Sequence, residues 1–225
     1  MKNAAIVLLS GGQDSTTCLF WAKQRFKRVL ALGFNYGQKH VVEIIQANAI
    51  AQIANVHYEV LNCEGLLAGS SLTDHTKNHN ENHATNSDLP ASFTAGRNAL
   101  FLTLAAAYGH GKGISDIVTG TCQTDYSGYP DCRQIFIESQ ANTLSLALDS
   151  AVRIHTPLMF LTKAETWKLA AELGCFEVVR DFSLTDYNGD QTKNECGYGK
   201  RDNPATELRA KGYYEAKEKG WIPNL

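Results

Sequence analysis

Six residues near the amino end, Ser10-Gly11-Gly12-Gln13-Asp14-Ser15, combine hydrogen-bond donors, bare backbone and one carboxylate at a spacing that suits a polyphosphate. Gly11 and Gly12 let the main chain approach phosphate oxygens with no Cβ in the way, and the hydroxyls of Ser10 and Ser15 can add donors. Asp14 is the odd member. A carboxylate beside phosphates is repelled unless a cation lies between them, so Asp14 points to a bound Mg²⁺ rather than to a direct phosphate contact. No lysine closes the loop as in a Walker A motif, which argues against a kinase-like or GTPase-like grip on a γ-phosphate. The competing reading is an ordinary strand-turn-helix corner with Ser15 near the helix cap.

Positioning such a loop takes a strand on one side and a helix on the other. Ala4 to Leu9 is a short apolar run flanked like a buried parallel strand, and Thr16 to Gln24 turns helical. The pattern repeats: Val29 to Phe34 as a strand, Val41 to Ile53 as an amphipathic helix with Glu43 in its first turn, Val56 to Leu61 as a third strand. Strand and helix alternating at this spacing predict parallel βαβ units in a Rossmann-like, doubly wound α/β sheet, with ligands at the carboxyl ends of the strands. Further on, Asn98 to His110 reads as a buried helix, Ile114 to Thr119 as a strand, Phe136 to Leu148 as a helix and Ile154 to Thr156 as a short strand. Lys163 to Leu173 is a helix capped by Thr162 with Gly174 just past its end. Asp74 to Asp88 has no large apolar side chain and reads as a mobile surface loop that could act as a lid. Its His75, His79 and His83 recur every four residues and would line one face of a helix, but the surrounding Asn and Thr are poor helix formers.

Composition narrows the possible partners. The 225 residues suffice for one sizeable core with a small appendage, and a net charge of −2 gives no basic excess for nucleic acid. No apolar run approaches a membrane span and the amino end enters a strand almost at once, so a cytoplasmic protein without a signal peptide is expected. Six cysteines, Cys18, Cys63, Cys122, Cys132, Cys175 and Cys196, are scattered without Cys-x-x-Cys spacing and are expected to be reduced, several of them buried. Cys132 as a thioester nucleophile lacks a sequence-apparent base, and packing explains it better.

The hexapeptide resembles the Ser-Gly-Gly-x-Asp-Ser pyrophosphatase loop of the N-type ATP pyrophosphatases, which cleave ATP between its α and β phosphates and activate an oxygen of a second substrate as its adenylate. Three further stretches narrow the resemblance to the 7-cyano-7-deazaguanine (preQ0) synthase family: Asn35 to His40 with its Tyr-Gly-Gln-x-His element, Phe93 to Phe101, and Ser-Gly-Tyr-Pro-Asp-Cys-Arg at 127 to 133. His155-Thr-Pro-Leu158 followed by Lys163 agrees as well, and the likeness runs from residue 4 to about 180. It implies that 7-carboxy-7-deazaguanine is adenylated on its carboxylate, that ammonia displaces AMP to give the amide, and that activation of the amide oxygen followed by elimination leaves the nitrile. It implies ATP bound by Leu8, Leu9, Ser10, Gly11, Gly12, Gln13, Asp14, Ser15, Thr16, Thr17 and Cys18, a homodimer, and small-molecule partners only.

Chemistry allocates the rest. Arg97 and Lys163 are cations for phosphate or the substrate carboxylate, and Asp14, Arg97, Lys163 and Asp125 are the candidate catalytic residues. Asp125 and Asp131 could hold Mg²⁺ or accept the N–H edge of the deazapurine, and Tyr36 or Tyr129 could stack on its ring; Gln38, His40, Asn98 and Arg133 complete the substrate set. Each has a structural alternative: Arg97 pairing at the surface, the aspartates shaping a turn around Gly128 and Pro130, the tyrosines filling the core.

The resemblance breaks at the carboxyl end, residues 181 to 225, where relatives carry a four-cysteine zinc site. Here Asp186 follows Leu184-Thr185, and one alignment puts Lys200, Asn203 and Thr206 where thiolates should be; another starts at Cys196-Gly197 and meets Gly199 and Asp202. At most one thiolate remains, so no tight zinc is expected. Tyr187, Tyr198, Tyr213, Tyr214, Trp221 and Ile222 offer apolar area to fold the tail onto the core in its place. Other amide-forming or thiolating ATP pyrophosphatases, or a nucleotide-binding homologue without turnover, are the competing functions.

Overall fold

The computed structural model describes residues 2–38, 42–67, 82–83, 86–90, 92–124, 128–186 and 189–223. Among them, five strands form one parallel sheet: β1 (Lys2–Leu8), β2 (Phe26–Asn35), β3 (His57–Asn62), β6 (Asp116–Val118) and β7 (Arg153–His155), in the order β3-β2-β1-β6-β7. β1 pairs with β2 through Ile6 to Leu30 and Leu8 to Leu32, and with β6 through Ile6 to Ile117. Chain order therefore reverses between β1 and β6, and this switch point opens a crevice beyond their carboxyl ends.

Alternation along β1 divides the core between the two faces of the sheet. Ala5, Val7 and Leu9 pack with Cys18, Leu19 and Ala22 of α1 (Gln13–Arg25) and with Ala47, Ile50 and Ala51 of α2 (Val42–Ile53). Ile6 faces the other way, with Leu102 and Ala105 of α3 (Arg97–His110) and Ile137 and Leu144 of α4 (Gln134–Ala147). Both faces are covered, which is why these strands read as continuous apolar runs.

The carboxyl region builds a third apolar cluster. Trp167 of α5 (Lys163–Glu172) and Phe176 of α6 (Phe176–Phe182) close on Tyr213 of α7 (Pro204–Glu218), with Ile222 sealing one side. Tyr213 and Ile222 are buried as the tail hypothesis requires, Trp221 packs against them, Tyr198 is partly buried and Tyr214 is exposed; Tyr187 lies outside the described residues. α5 starts at the Thr162 cap the sequence predicts, and the structure completes it as a capping box, Thr162 Oγ1 accepting from Glu165 N (3.2 Å) and the Glu165 carboxylate accepting from Thr162 N (2.8 Å).

The reading of 74 to 88 as one loop is corrected in part. β4 (Asn82–His83) and β5 (Asn86–Pro90) pair antiparallel, because ladder hydrogen bonds come from the backbone and a polar sequence can supply them. His83 therefore sits in a strand, not on a helical face, while His75 and His79 lie outside the described residues. A second small ribbon pairs β8 (Lys193–Asn194) with β9 (Gly197–Tyr198).

Candidate active site

The loop between β1 and α1 is held from three directions. Gly11 has φ +87°, and a Cβ there would lie 2.8 Å from the Glu43 carbonyl oxygen and 2.9 Å from Ala47 N, so both conformation and space demand glycine. Leu184 N donates to Gly11 O (3.0 Å), and Gln13 N donates to Thr185 Oγ1 (3.3 Å). Ser15 Oγ accepts from Ser10 N (3.2 Å), donates to Gly12 O (3.2 Å) and lies 3.1 Å from Ser10 Oγ, so the serines brace the turn. Gly12 is the N-cap of α1 and no side chain caps the helix. Its positive end faces the crevice, as an anion site requires.

Asp14 Oδ2 accepts from Lys163 Nζ at 2.6 Å, whereas its Oδ1 is buried with no hydrogen-bond partner among the described residues. An orphaned buried carboxylate oxygen beside an anion site fits a divalent cation. Gly120 packs directly against it, an ideal Cβ falling 3.0 Å from Asp14 Cβ. Both amide atoms of Gln13, 1 % exposed, and the Thr121 hydroxyl are also buried without hydrogen-bond partners among the described residues.

These groups edge a cavity of about 310 Å³. The loop from Leu8 to Ser15 forms its floor, Gly11 excepted, and Thr119 to Cys122 form one flank. The opposite flank is aromatic: Phe34 and Phe101 stack at 4.1 Å between centroids, and Tyr36 leans on Phe101 at 5.4 Å. Tyr129 closes the rim, its hydroxyl 2.6 Å from Ser92 Oγ. Arg97 is the one cation among the described lining residues.

Most of the residues singled out in the sequence converge here. Tyr36, Gln38, Arg97, Asn98 and Tyr129 line the cavity with the loop, and Lys163 reaches its edge through Asp14. Gln38 shapes the wall, accepting from Tyr36 N (3.0 Å) and donating to Phe34 O (3.2 Å). Thr16, Thr17 and Cys18 turn inward instead: the two hydroxyls bond back to the carbonyls of Gly12 and Gln13, and Cys18 is fully buried, its thiol pushed well up by burial and by the Asp14 charge. Asp131 does not line the cavity; it accepts from Asn98 N (3.0 Å) at the start of α3, a contact that differs from the turn around Gly128 and Pro130 weighed as its structural alternative. Arg133 is exposed at the N-cap of α4. His40 and Asp125 lie outside the described residues.

Sequence reasoning missed Glu43, Tyr58, Leu184, Thr185 and Arg209. Glu43 and Tyr58 line the cavity. Arg209, 1 % exposed, donates to Cys196 O (2.8 Å), Ser183 Oγ (2.8 Å), Val179 O (2.9 Å) and Thr185 Oγ1 (2.9 Å), and burial brings its pKa down to about 10. It thereby joins the carboxyl region to the loop through Thr185. The Leu208-Arg209 pair marked the tail motif, but nothing in the sequence ties it to a loop two hundred residues earlier.

Asp186, Asn203 and Thr206, three of the positions aligned with zinc ligands, do come together. Asn203 Nδ2 donates to Asp186 Oδ2 (3.0 Å), Thr206 N donates to Asn203 Oδ1 (3.2 Å), and all three are buried. Lys200 leaves the group to pair with Asp190 at 3.2 Å, and the Cys196 thiol donates to Asn194 Oδ1 (2.9 Å). One carboxylate, one amide and one hydroxyl residue hydrogen-bonded among themselves do not supply the Cys and His set of a structural tetrahedral zinc centre. Among the described residues no cluster of three His, Cys, Asp or Glu could hold a metal ion.

A glycine loop that offers a helix N-terminus and a cation-ready carboxylate at the switch point of a parallel sheet places the protein in the class of Rossmann-like α/β folds with a phosphate-binding corner. Solved structures share the fold: a 4-thiouridine synthetase in complex with RNA and ATP (TM-score 0.50, 15% identity, 97% of this chain and 53% of that one). The U34-tRNA thiolase NcsA from Methanococcus maripaludis is comparable (TM-score 0.50, 14% identity, 97% and 67%). The family model for "Queuosine biosynthesis protein QueC" matches residues 4–217, and the chain belongs to that family. Similar relatives are the 7-cyano-7-deazaguanine synthases of Bacteroides fragilis (50% identity, 96% of this chain and 97% of that one) and Clostridium novyi (47%, 95% and 95%).

Proposed function

We propose that the protein is an ATP-dependent ligase that converts 7-carboxy-7-deazaguanine and ammonia to 7-cyano-7-deazaguanine through an adenylated intermediate. The observation that carries this is the continuity of the phosphate-ready loop with an aromatic cavity that holds one arginine, in a chain of this family. A flat heteroaromatic acid suits such a wall, with Tyr36, Phe101 and Tyr129 against the ring and Arg97 toward the carboxylate. The first turn of α1 receives the polyphosphate, its N–H groups and positive dipole end meeting charge that builds as pyrophosphate departs. Asp14 would hold Mg²⁺, which supplies charge neutralisation between the phosphates when bound. Lys163 fixes Asp14 and adds a positive charge at the same edge. Asn98 ties the rim to the turn that bears Tyr129 by donating to Asp131 O (3.2 Å).

Residues 1–180 form the catalytic unit in this reading, and residues 181–225 an appendage that braces the loop without zinc. His40, Asp125 and Arg133 remain assigned to substrate or catalysis on the resemblance alone. No described helix is long and apolar enough to cross a membrane. A cytoplasmic homodimer acting on small molecules, not nucleic acid, completes the proposal. Incubation with 7-carboxy-7-deazaguanine, ATP, Mg²⁺ and ammonium tests it: the nitrile and AMP are expected, and AMP formation with no deazaguanine product would refute the substrate.

A further inference from the structure

We propose that Glu43 is the proton acceptor of this reaction, taking protons first from the incoming ammonia nitrogen and then from the amide nitrogen. The assignment rests on the function proposed above. Proton bookkeeping makes an acceptor necessary. Ammonia adds to the acyl-adenylate carbon, the bond to AMP breaks, and the nitrogen sheds one proton to reach the amide. The amide oxygen then attacks the α-phosphorus of a second ATP, pyrophosphate leaves, and one N–H is lost; elimination of AMP takes the last N–H and leaves the carbon-nitrogen triple bond.

Among the described residues only two carboxylates line the cavity, Asp14 and Glu43. Asp14 sits at the loop, bonded to Lys163. Glu43 stands on another wall, in the first turn of α2, where its own carbonyl abuts Gly11 and its side chain is partly open to the cavity. The charged and titratable groups facing it are Arg97 from α3, Tyr36 after β2 and Tyr58 of β3. Burial pushes both phenols up to about 12, so neither accepts a proton near neutrality. Burial also pushes the Glu43 carboxyl up to about 7, with the Arg97 charge pulling the other way. A general base is most effective when its pKa lies near the working pH. If Arg97 holds the substrate carboxylate, the carbon that changes bonding lies within electrostatic reach of Glu43.

The full-length Glu43→Gln and Glu43→Asp variants test this against wild type, with 7-carboxy-7-deazaguanine, ATP, Mg²⁺ and varied ammonium. In Glu43→Gln, nitrile formation should fall about 100-fold or more, the size of a lost general base. Pyrophosphate release from the carboxylate substrate without ammonium should stay within about threefold, and 7-amido-7-deazaguanine with ATP should be dehydrated as slowly. Wild-type kcat/KM, expressed per free ammonia, should rise with pH through about 7, a limb absent in Glu43→Gln and partly restored in Glu43→Asp. Unchanged nitrile formation with the same limb would overturn the assignment, as would an equal loss of the adenylation step, which would make Glu43 a binding or structural group. Wild type without turnover on this substrate would remove the function and the Glu43 assignment together, whereas wild-type turnover isolates the test to Glu43.

Discussion

Replacing Arg209 with methionine keeps most of the volume beside Trp167 and deletes the donors that tie the carboxyl region to the phosphate loop. The Cys196 carbonyl loses its 2.8 Å bond and the Ser183 carbonyl its 3.3 Å bond. The Val179 carbonyl and the Ser183 hydroxyl keep each other, and the Thr185 hydroxyl keeps Gln13 N. Two buried carbonyls left unpaired at about 1–3 kcal/mol each, partly offset by release of a desolvated charge, give a loss of about 3 kcal/mol. For a chain of this size each kcal/mol shifts Tm by about 2–4 °C, so a fall of about 6–12 °C is expected in thermal unfolding. Isothermal titration with an ATP analogue should show weaker binding as well, since Thr185, which accepts from Gln13 N, loses its 2.9 Å tie to the carboxyl region. A Tm within about 2 °C of wild type together with unaltered nucleotide affinity would refute the idea that this guanidinium braces the loop.

Gly11→Ala places a Cβ against backbone atoms of Glu43 and Ala47 at positive φ, so nucleotide affinity should be lost along with stability, as titration and thermal unfolding would show; full affinity would contradict the loop geometry. The raised pKa of Glu43 also affects stability. Its carboxyl keeps in the folded state a proton that the unfolded chain releases between about 4.5 and about 7, so this group costs stability as pH rises through that window. Glu43→Gln should therefore raise Tm more at pH 8 than at pH 5, and an equal shift at both would be contrary. Metal analysis should find well under one zinc per chain, with Tm indifferent to chelators; about one zinc per chain would show that the Asp186, Asn203 and Thr206 cluster is not what closes the tail.

The parallel sheet and the loop were legible because their signals are contiguous. β1 and β2 are covered on both faces along most of their length and read as apolar runs, while the loop compresses its chemistry into Ser10 to Ser15. What escaped depends on long-range packing. α7 buries Thr206, Arg209 and Gly212 on its inner face, none of which produces hydrophobic periodicity, and Gly212 is needed because a Cβ would meet Lys163 Cβ at 2.5 Å. Thr185 reaches Gln13 across 172 residues. Glu43 in a first helical turn reads as a carboxylate that complements the helix dipole, and only the fold shows that it opens on the cavity. Asp131 illustrates the converse: a motif carboxylate that looked chemical has one oxygen accepting from Asn98 N at the start of α3, a contact no local pattern announces.

The central claim is that the turn from Ser10 to Ser15 grips the polyphosphate of ATP. A crystal structure with Mg²⁺ and an ATP analogue that cannot be cleaved between its α and β phosphates tests it most directly. The expected density puts phosphate oxygens on the first N–H groups of α1 with the cation on Asp14 Oδ1. Nucleotide bound elsewhere, with that turn still braced by its own serines, would contradict it.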